Sequence, residues 1–184
     1  MSQLTQNSAY GNALASMDDN YIKEFKLRLD KFMGHVSKEP RQSEIKKNTQ
    51  ANNVDFIPIS FIETTLDELF LGQWSTEDFH YSVIANEIVG HLTLKFIHPI
   101  SGQWISRVGV GAVPIRMAAG AAVDEFQKKI KTALMADLPH MKAECLKNAA
   151  KGIGKVFGRD LNRKAVDSYQ KQFTSASSLD KAVQ

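Results

Sequence analysis

The chain has 184 residues, with 23 Lys or Arg against 20 Asp or Glu, so its formal net charge is only +3. The length suits one domain with a substantial core, and the weak charge excludes a histone-like protein that binds nucleic acid through bulk charge. One cysteine, Cys145, excludes an internal disulfide and is typical of a reducing compartment. No apolar run approaches the roughly 20 residues that cross a bilayer, and the first residues do not form a secretory signal. We therefore expect a cytoplasmic protein without a membrane partner, in a bacterial host cell if a phage or mobile element encodes it.

Three segments are expected along the chain. Residues 1–16 are small and polar and predict a disordered N-terminal segment. Residues 17–174 predict a single domain, and residues 175–184 predict a polar C-terminal tail. Within the domain the expected order is helix, loop, helix, strands and further helices, which is typical of the α+β class.

The first half of the domain predicts two helices and a short strand. Apolar residues three and four apart indicate a helix from Asp18 to Gly34. The polar stretch 37–53 then predicts a loop, and residues 54–59 predict a strand. Ser60 and Glu63 have the spacing of a capping box, which would open a second helix that ends at Gly72.

The middle of the chain predicts an antiparallel meander of about three strands. Apolar and polar residues alternate with period two, and the sequence "PISG" predicts a turn between two of the strands. The alternating apolar positions are Phe79, Tyr81 and Val83, then Leu92, Leu94 and Phe96, then Trp104, Val108 and Val110. After a connector of small residues, 123–135 predicts a helix, and Pro139 is expected in the first turn of a longer one. Residues up to Phe173 are expected to add a C-terminal helix.

The most informative stretch is "ECLKNAAKGIGKVFGRDLNR", residues 144–163. On a helix, its basic residues (Lys147, Lys151, Lys155 and Arg159) would form one row, opposite an apolar face. No acid stands between the first and last of these residues, and two glycines weaken the helix unless something approaches closely. Two interpretations stay open: a solvated face, or a basic row that binds a phosphate backbone.

Other site classes fit less well. In "GIGK" a phosphate-binding P-loop would need Ser or Thr where Val156 stands. A helix–hairpin–helix DNA clamp would need a break in the apolar period before the glycines. Nuclease carboxylates would have to come from adjacent residues that point apart, Asp67 with Glu68 and Glu77 with Asp78. The lone thiol of Cys145 is interpreted as structural. The strand histidines read as ordinary, with His91 and His98 on opposite faces. We therefore expect no metal, no cofactor and no enzymatic activity.

Three blocks of the sequence resemble the Rad-fifty-two family of single-strand annealing proteins. "NVDFIPISFIETTLDELF" followed by "GQW" is similar to a family strand of the type "V-x-Y-I" that leads into a helix ending "N-E-M-F". "VGHLTLKFIHPISGQWISRVGVGA" is similar to a hairpin that closes on "V-G-Y-G". "MKAECLKNAAKGIGKVFG" matches, without gaps, a family helix with a basic residue in its middle and a terminal Phe-Gly.

The resemblance implies a β-meander packed on a long basic helix, in protomers that form a ring or a helical filament. It implies that single-stranded DNA is held by its backbone in a basic groove, so that complementary strands anneal without ATP during recombination and repair. The groove lysine of the family falls on Lys151, the next basic residue on Lys155, and an arginine before the first strand on Lys46, or on Lys47 after a slip of one. The predicted DNA-binding residues are Lys46, Lys47, Arg107, Lys147, Lys151, Lys155, Arg159 and Arg163.

The sequence departs from the family pattern in three places. The arginine that usually follows the groove lysine is Gly152, the acidic pair before "V-G-Y-G" is Ser106–Arg107, and the connector Ala112–Leu138 is longer than usual. Besides single-stranded DNA and further copies of the chain, an exonuclease or a single-strand-binding protein is a candidate partner. A structural assembly protein without a DNA role, and a metal-dependent nuclease, are the alternative functions.

Overall fold

The computed structural model describes residues 19–49, 53–122 and 125–162, and the fold is α+β. The predicted disordered segment, the predicted tail and the helix expected to end at Phe173 lie outside these residues. Contacts divide the chain into two compact units, one of which is Val36–Val166. Helix α1 (Asp19–Val36) belongs almost wholly to the other unit and confirms the predicted first helix to within two residues. No helix in these described ranges is both long and apolar enough to cross a membrane.

A two-stranded ribbon replaces part of the predicted loop. Strand β1 (Lys46–Asn48) pairs antiparallel with β2 (Val54–Phe56). A 3₁₀ turn over Gln42–Glu44 precedes it. The loop prediction was wrong for these residues because β1 is three polar, exposed residues long, so no apolar alternation marks it in the sequence.

Helix α2 (Ile59–Phe70) begins directly after Pro58. The predicted capping box is wrong: the helix start has no side-chain cap, and Ser60 lies inside the first turn with its carbonyl accepting the Thr64 hydroxyl at 2.9 Å. Pro58 is the N-cap residue and has an extended backbone, with ψ of 146°, so it lies just outside the first turn. The helix ends at Leu71 in the left-handed region. Its buried residues are Ile62, Thr65, Leu66 and Phe70.

The predicted meander is confirmed as a three-stranded antiparallel sheet. Its strands are β3 (Trp74–Ile84), β4 (Glu87–Ile97) and β5 (Trp104–Pro114), in the order β3-β4-β5. Strand β3 contains a bulge: Glu77 pairs with Thr93 and His80 with His91, so two residues of β3 lie opposite one of β4. The bulge decides which side chains of β3 share a face with those of β4.

Helix α3 (Ala133–Lys151) lies on one face of the sheet, which we call the inner face, and contacts both β4 and β5. The inner residues of β4 are Ile88, Gly90, Leu92, Leu94 and Phe96, all buried. Helix α2 completes the core against α3 and β3, with the rings of Phe70 and Phe96 only 4.3 Å apart. The opposite side of the sheet is called the outer face.

Glycines in β4 and β5 allow α3 to lie almost directly on the strands. A Cβ on Gly109 would collide with the Cys145 carbonyl oxygen and would stand 2.6 Å from the Ala149 backbone nitrogen. A Cβ on Gly111 would stand 3.0 Å from the Cys145 Sγ. Any side chain at Gly109 would therefore push the helix away from the sheet.

The helix boundaries differ from the prediction at both ends. The helix predicted over 123–135 is wrong for most of its described residues, which form a 3₁₀ turn (Phe126–Lys128) before α3 begins at Ala133. Pro139 lies inside α3 and not in its first turn. The predicted continuation to residue 163 is wrong, because α3 ends at Lys151. Gly152 caps the helix, and at Gly154 the backbone is extended and packs against the Val36 carbonyl with no room for a Cβ. Gly152 thus ends the helix, and Gly154 allows the segment after it to pack against Val36 at the end of α1.

Candidate nucleic-acid interface

The C-terminal half of α3 and the β1–β2 ribbon face each other across a cleft. The Lys147 Nζ lies 5.2 Å from the centre of the Phe56 ring, which joins the two elements. The cleft is small and partly open to solvent. It is lined by Asp55, Phe56, Ile57, Ile62, Glu144, Lys147, Lys151, Phe157, Gly158, Leu161 and Asn162.

The strand register separates the two ribbon lysines. Lys46 pairs with Phe56 and Lys47 pairs with Asp55. Directly opposite residues of an antiparallel pair share a face, so Lys46 lies on the Phe56 face of the ribbon, the face turned toward α3. Lys47 lies on the other face, where its Nζ is 3.2 Å from the Asp55 carboxylate. Of the two alternatives left open by the sequence, the register favours Lys46, which lies on the ribbon face turned toward α3, beside the residues that line the cleft.

Lys151 is exposed and has a neutral neighbour. Its Nζ donates to the Asn148 Oδ1 at 3.0 Å, and the Asn148 amide donates to the Val110 carbonyl at 2.8 Å. The asparagine therefore positions the ammonium group without neutralising it. None of the ion pairs among the described residues includes Lys151 or Lys46.

Lys147 is held differently. Its Nζ is 2.6 Å from the Glu144 carboxylate, and only 13% of its side chain is exposed. The Glu144 carboxylate and the face of the Phe56 ring therefore compensate most of the positive charge of the Lys147 ammonium group. The ammonium group therefore stabilises the wall of the cleft more than it offers charge to a ligand.

Arg107 approaches the end of α3 from strand β5. A Cβ on Gly152 would lie 3.3 Å from the Arg107 Cδ, so the arginine stem passes over the helix cap. Its guanidinium donates to the Ser106 carbonyl at 3.0 Å and is otherwise exposed. The missing side chain at Gly152 leaves space that the stem of Arg107 fills.

The remaining basic residues of the predicted row are used within the chain. The Arg159 guanidinium donates to the Lys151 carbonyl at 2.9 Å and to the Gly152 carbonyl at 2.7 Å. It thereby caps the carbonyls that the helix end leaves without partners. Lys155 lies on a 3₁₀ turn with its Nζ 3.7 Å from the Asp160 carboxylate. The continuous row of four basic residues on one helix is therefore not formed.

Asn162, which no pattern in the sequence singled out, joins the segment after α3 to the ribbon. The Asn162 side chain accepts from the Asp55 backbone N–H at 3.1 Å and donates to the Asp55 carbonyl at 2.7 Å. It thus continues the hydrogen bonding of β2 as a further strand would. This contact ties the segment after α3 to the ribbon. In the sequence, the glycine at position 158 indicates a turn there, and in the structure its φ is 79°.

The structure therefore divides the predicted DNA-binding residues. Lys46, Lys151 and Arg107 are exposed around the cleft and the adjoining end of α3, while Lys147 is partly buried in its wall. Lys47 faces away, and Lys155 and Arg159 bind neighbouring groups. Arg163 lies outside the described residues.

The other candidate sites have structural partners. The Asp67 carboxylate accepts from the Trp74 indole at 2.7 Å. Glu77 lies 2.6 Å from Lys95 and raises the pKa of that lysine through a hydrogen bond and its charge. Burial raises the pKa of the Cys145 thiol, with Glu144 adding to the shift, so this residue is a poor nucleophile. In the part of the chain that the structure describes, no three His, Cys, Asp or Glu side chains are grouped to hold a metal ion.

No protein-family model matches the sequence, and the comparison with curated proteins finds no match. The resemblance to the annealing family therefore rests on the residues quoted above.

Proposed function

We propose that this protein binds single-stranded DNA through its phosphate backbone and promotes ATP-independent annealing of complementary strands in recombination. The observation that supports this most is the placement of Lys46 and Lys151. They are about a hundred residues apart in sequence, yet they belong to the two elements that face each other across one cleft, and neither is ion-paired among the described residues.

Annealing sets a physical requirement that such a cleft can meet. Two negatively charged backbones have to be brought together while the base edges stay free to pair. Exposed lysine and arginine side chains satisfy the first need, and contacts to phosphates alone satisfy the second because they read no sequence. We infer that Lys46, Lys151 and Arg107 supply these contacts, with Arg107 providing the charge that Gly152 lacks.

In this proposal the basic helix is shorter than the sequence suggested. The part of α3 that borders the cleft contributes Lys151 as a contact and Lys147 as a wall residue. Arg159 supports Lys151 indirectly, because it binds the carbonyl of that lysine and fixes the helix end. We therefore expect substitution of Arg159 to affect folding and binding together.

We also propose that the protomers associate with one another. Strands β3 and β5 are both edges of the sheet, and β5 exposes Val108 and Val110 by about two-thirds on the outer face. Exposed apolar side chains along an open edge favour pairing with another chain. The same observation supports the second candidate, a structural assembly protein without a DNA role, so the DNA experiment has to decide between them.

The test is fluorescence anisotropy of a labelled mixed-sequence oligonucleotide at several salt concentrations. Lys46→Ala and Lys151→Ala should each weaken binding about fivefold, or about 1 kcal/mol, and each should reduce the salt slope by up to about 0.7, the value for one phosphate contact on a single strand. Annealing rates should fall in parallel, while the melting temperature stays near that of the wild type.

Lys47→Ala is the matched control, because this lysine lies on the same three-residue strand but on the opposite face. It should leave affinity and salt slope unchanged, as should Lys23→Ala on α1. If the Lys46 and Lys151 variants bind as tightly as the controls do, the cleft is not a DNA site and the assembly protein becomes the better proposal. Magnesium-dependent cleavage of the oligonucleotide would instead support a nuclease.

A further inference from the structure

Two histidines meet on the outer face of the sheet, away from the cleft. His80 of β3 and His91 of β4 are directly opposite each other, and their ring centres are 5.3 Å apart. Both side chains are exposed, and no hydrogen bond to either imidazole is found among the described residues. The pair results from the bulge in β3, since without the extra residue His80 would lie on the inner face.

The spacing of the rings suits a metal ion held between them. Imidazole nitrogens bind Zn²⁺ at about 2.0–2.1 Å, which places the centres of two rings on one ion about 5 Å apart. The planes of the two rings are inclined by 37°, and both side chains are free to rotate because they are exposed. A small rotation is then enough to turn a nitrogen of each ring toward the same point.

The charges around the pair do not oppose a cation. Glu77 lies next to the pair on the same face and is 2.6 Å from Lys95, so these two charges offset each other. Asp78, inside the bulge, contributes a further exposed negative charge. Asp78 also acts on Lys95, whose pKa rises chiefly because of Glu77.

We propose that His80 and His91 form a chelating site for a divalent transition-metal ion such as Zn²⁺ or Ni²⁺. Imidazole suits these ions, whereas Mg²⁺ and Ca²⁺ prefer oxygen ligands. No third His, Cys, Asp or Glu in the described ranges is grouped with the pair, so water or an exchangeable ligand completes the coordination. The ion joins β3 to β4 across the bulge and stabilises the sheet there. This site is independent of the proposed DNA cleft.

The test uses the full chain without a histidine tag and measures its melting temperature with ZnCl₂, NiCl₂ or MgCl₂. An ion that binds only the folded chain raises its stability in proportion to the logarithm of ion concentration. We expect an increase of about 2–4 °C with Zn²⁺ or Ni²⁺ and none with Mg²⁺. Isothermal titration calorimetry should give one site per chain, and His80→Ala or His91→Ala should weaken it at least tenfold.

His98→Ala is the matched control, because His98 lies in the turn after β4 and its Nδ1 already accepts backbone N–H groups of Ile100 and Ser101. This variant should keep the full metal-dependent shift. Equal shifts in all three variants, or no shift in the wild type, would overturn the proposal. Both positions are exposed, so alanine is expected to be tolerated there, and each variant is first checked for wild-type circular dichroism without metal.

Discussion

The two faces of the sheet differ in how closely their residues are packed and in how much apolar surface they expose. On the inner face, α3 lies so close to β5 that Gly109 has no space for a Cβ. On the outer face the same strand exposes Trp104, Val108 and Val110 by 60%, 65% and 64%. The middle of β5 therefore has glycines on the face that α3 covers and large apolar residues on the opposite, exposed face.

The difference explains the glycine pattern of β5 in physical terms. Glycine within a strand costs stability unless something approaches the backbone there. Here the backbone of α3 approaches Gly109 and Gly111, so the helix occupies the space that a side chain would take at each of these positions. The part of the sequence that resembles a family motif thus has a packing role.

The largest effect is expected at the closest contact. Gly109→Val would force α3 off the sheet, because the new Cβ would overlap the Cys145 carbonyl oxygen. We expect a loss of at least about 3 kcal/mol in the free energy of unfolding, measured by urea denaturation. The matched control is Ser106→Val, an exposed position on the outer face of the same strand, which should change stability by less than about 0.5 kcal/mol. A similar loss in both variants would show that the faces do not differ in packing.

Much of this fold was accessible to sequence analysis, because alternation with period two marks strands, although in β5 the alternating residues Trp104, Val108 and Val110 lie on the exposed face and not on the buried one. The meander, its order and the turn at "PISG" are confirmed for that reason. Strand β1 was missed because its three residues are polar and exposed. The end of α3 was missed because the apolar spacing continues past Lys151, while tertiary contacts at Gly154 draw the backbone into an extended shape.

The sequence identified the basic residues of the candidate site, but it did not show which of them bind other groups of the chain and which stay exposed. The pairing of Lys147 with Glu144, three residues earlier on one helix, has a spacing that permits it, but Lys147 was predicted as a DNA-binding residue and not as an ion-pair partner. The capping by Arg159 was not, since it depends on the turn at Gly158 that brings the guanidinium back to the helix end. The meeting of His80 and His91 was hidden too, because a bulge shifts the register by one residue.

A second, smaller effect concerns the thiol on the inner face. Cys145 is fully buried, and burial raises the pKa of its thiol above the ordinary 9.0. Alkylation of the native protein by iodoacetamide at pH 8 should therefore be at least about tenfold slower than alkylation of the urea-unfolded chain, because both access and thiolate fraction are reduced. The reaction can be followed by mass spectrometry, and equal rates would show that α3 leaves the sheet readily.

The raised pKa of Cys145 also has a consequence for stability. A group whose pKa is higher in the folded state contributes stability that is fully present below its unfolded pKa and is lost as the pH rises through the folded value. The wild type should therefore lose stability above about pH 9 relative to Cys145→Ala, when each is compared with itself at pH 7. If the stability of the two proteins changes with pH in the same way, the pKa of the thiol does not differ between the folded and unfolded chains, and the prediction is wrong.

The smallest effect on folding is expected on the outer face, where we substitute Val108→Lys and Val110→Lys together. Both side chains are mostly exposed, so the free energy of unfolding should change by no more than about 1 kcal/mol. Self-association should nevertheless fall, because lysines along an edge strand oppose pairing with another chain. Light scattering at micromolar concentration should give a mass many times 20.5 kDa for the wild type and a much lower mass for the variant.

Val108→Thr with Val110→Thr is the matched control: it keeps the β-branched shape and adds no charge, so it should retain most of the association. If the lysine variant keeps the wild-type mass, the contacts between protomers lie elsewhere. If it unfolds, the outer face is covered by the chain itself, and the contrast between the two faces is smaller than the exposures indicate.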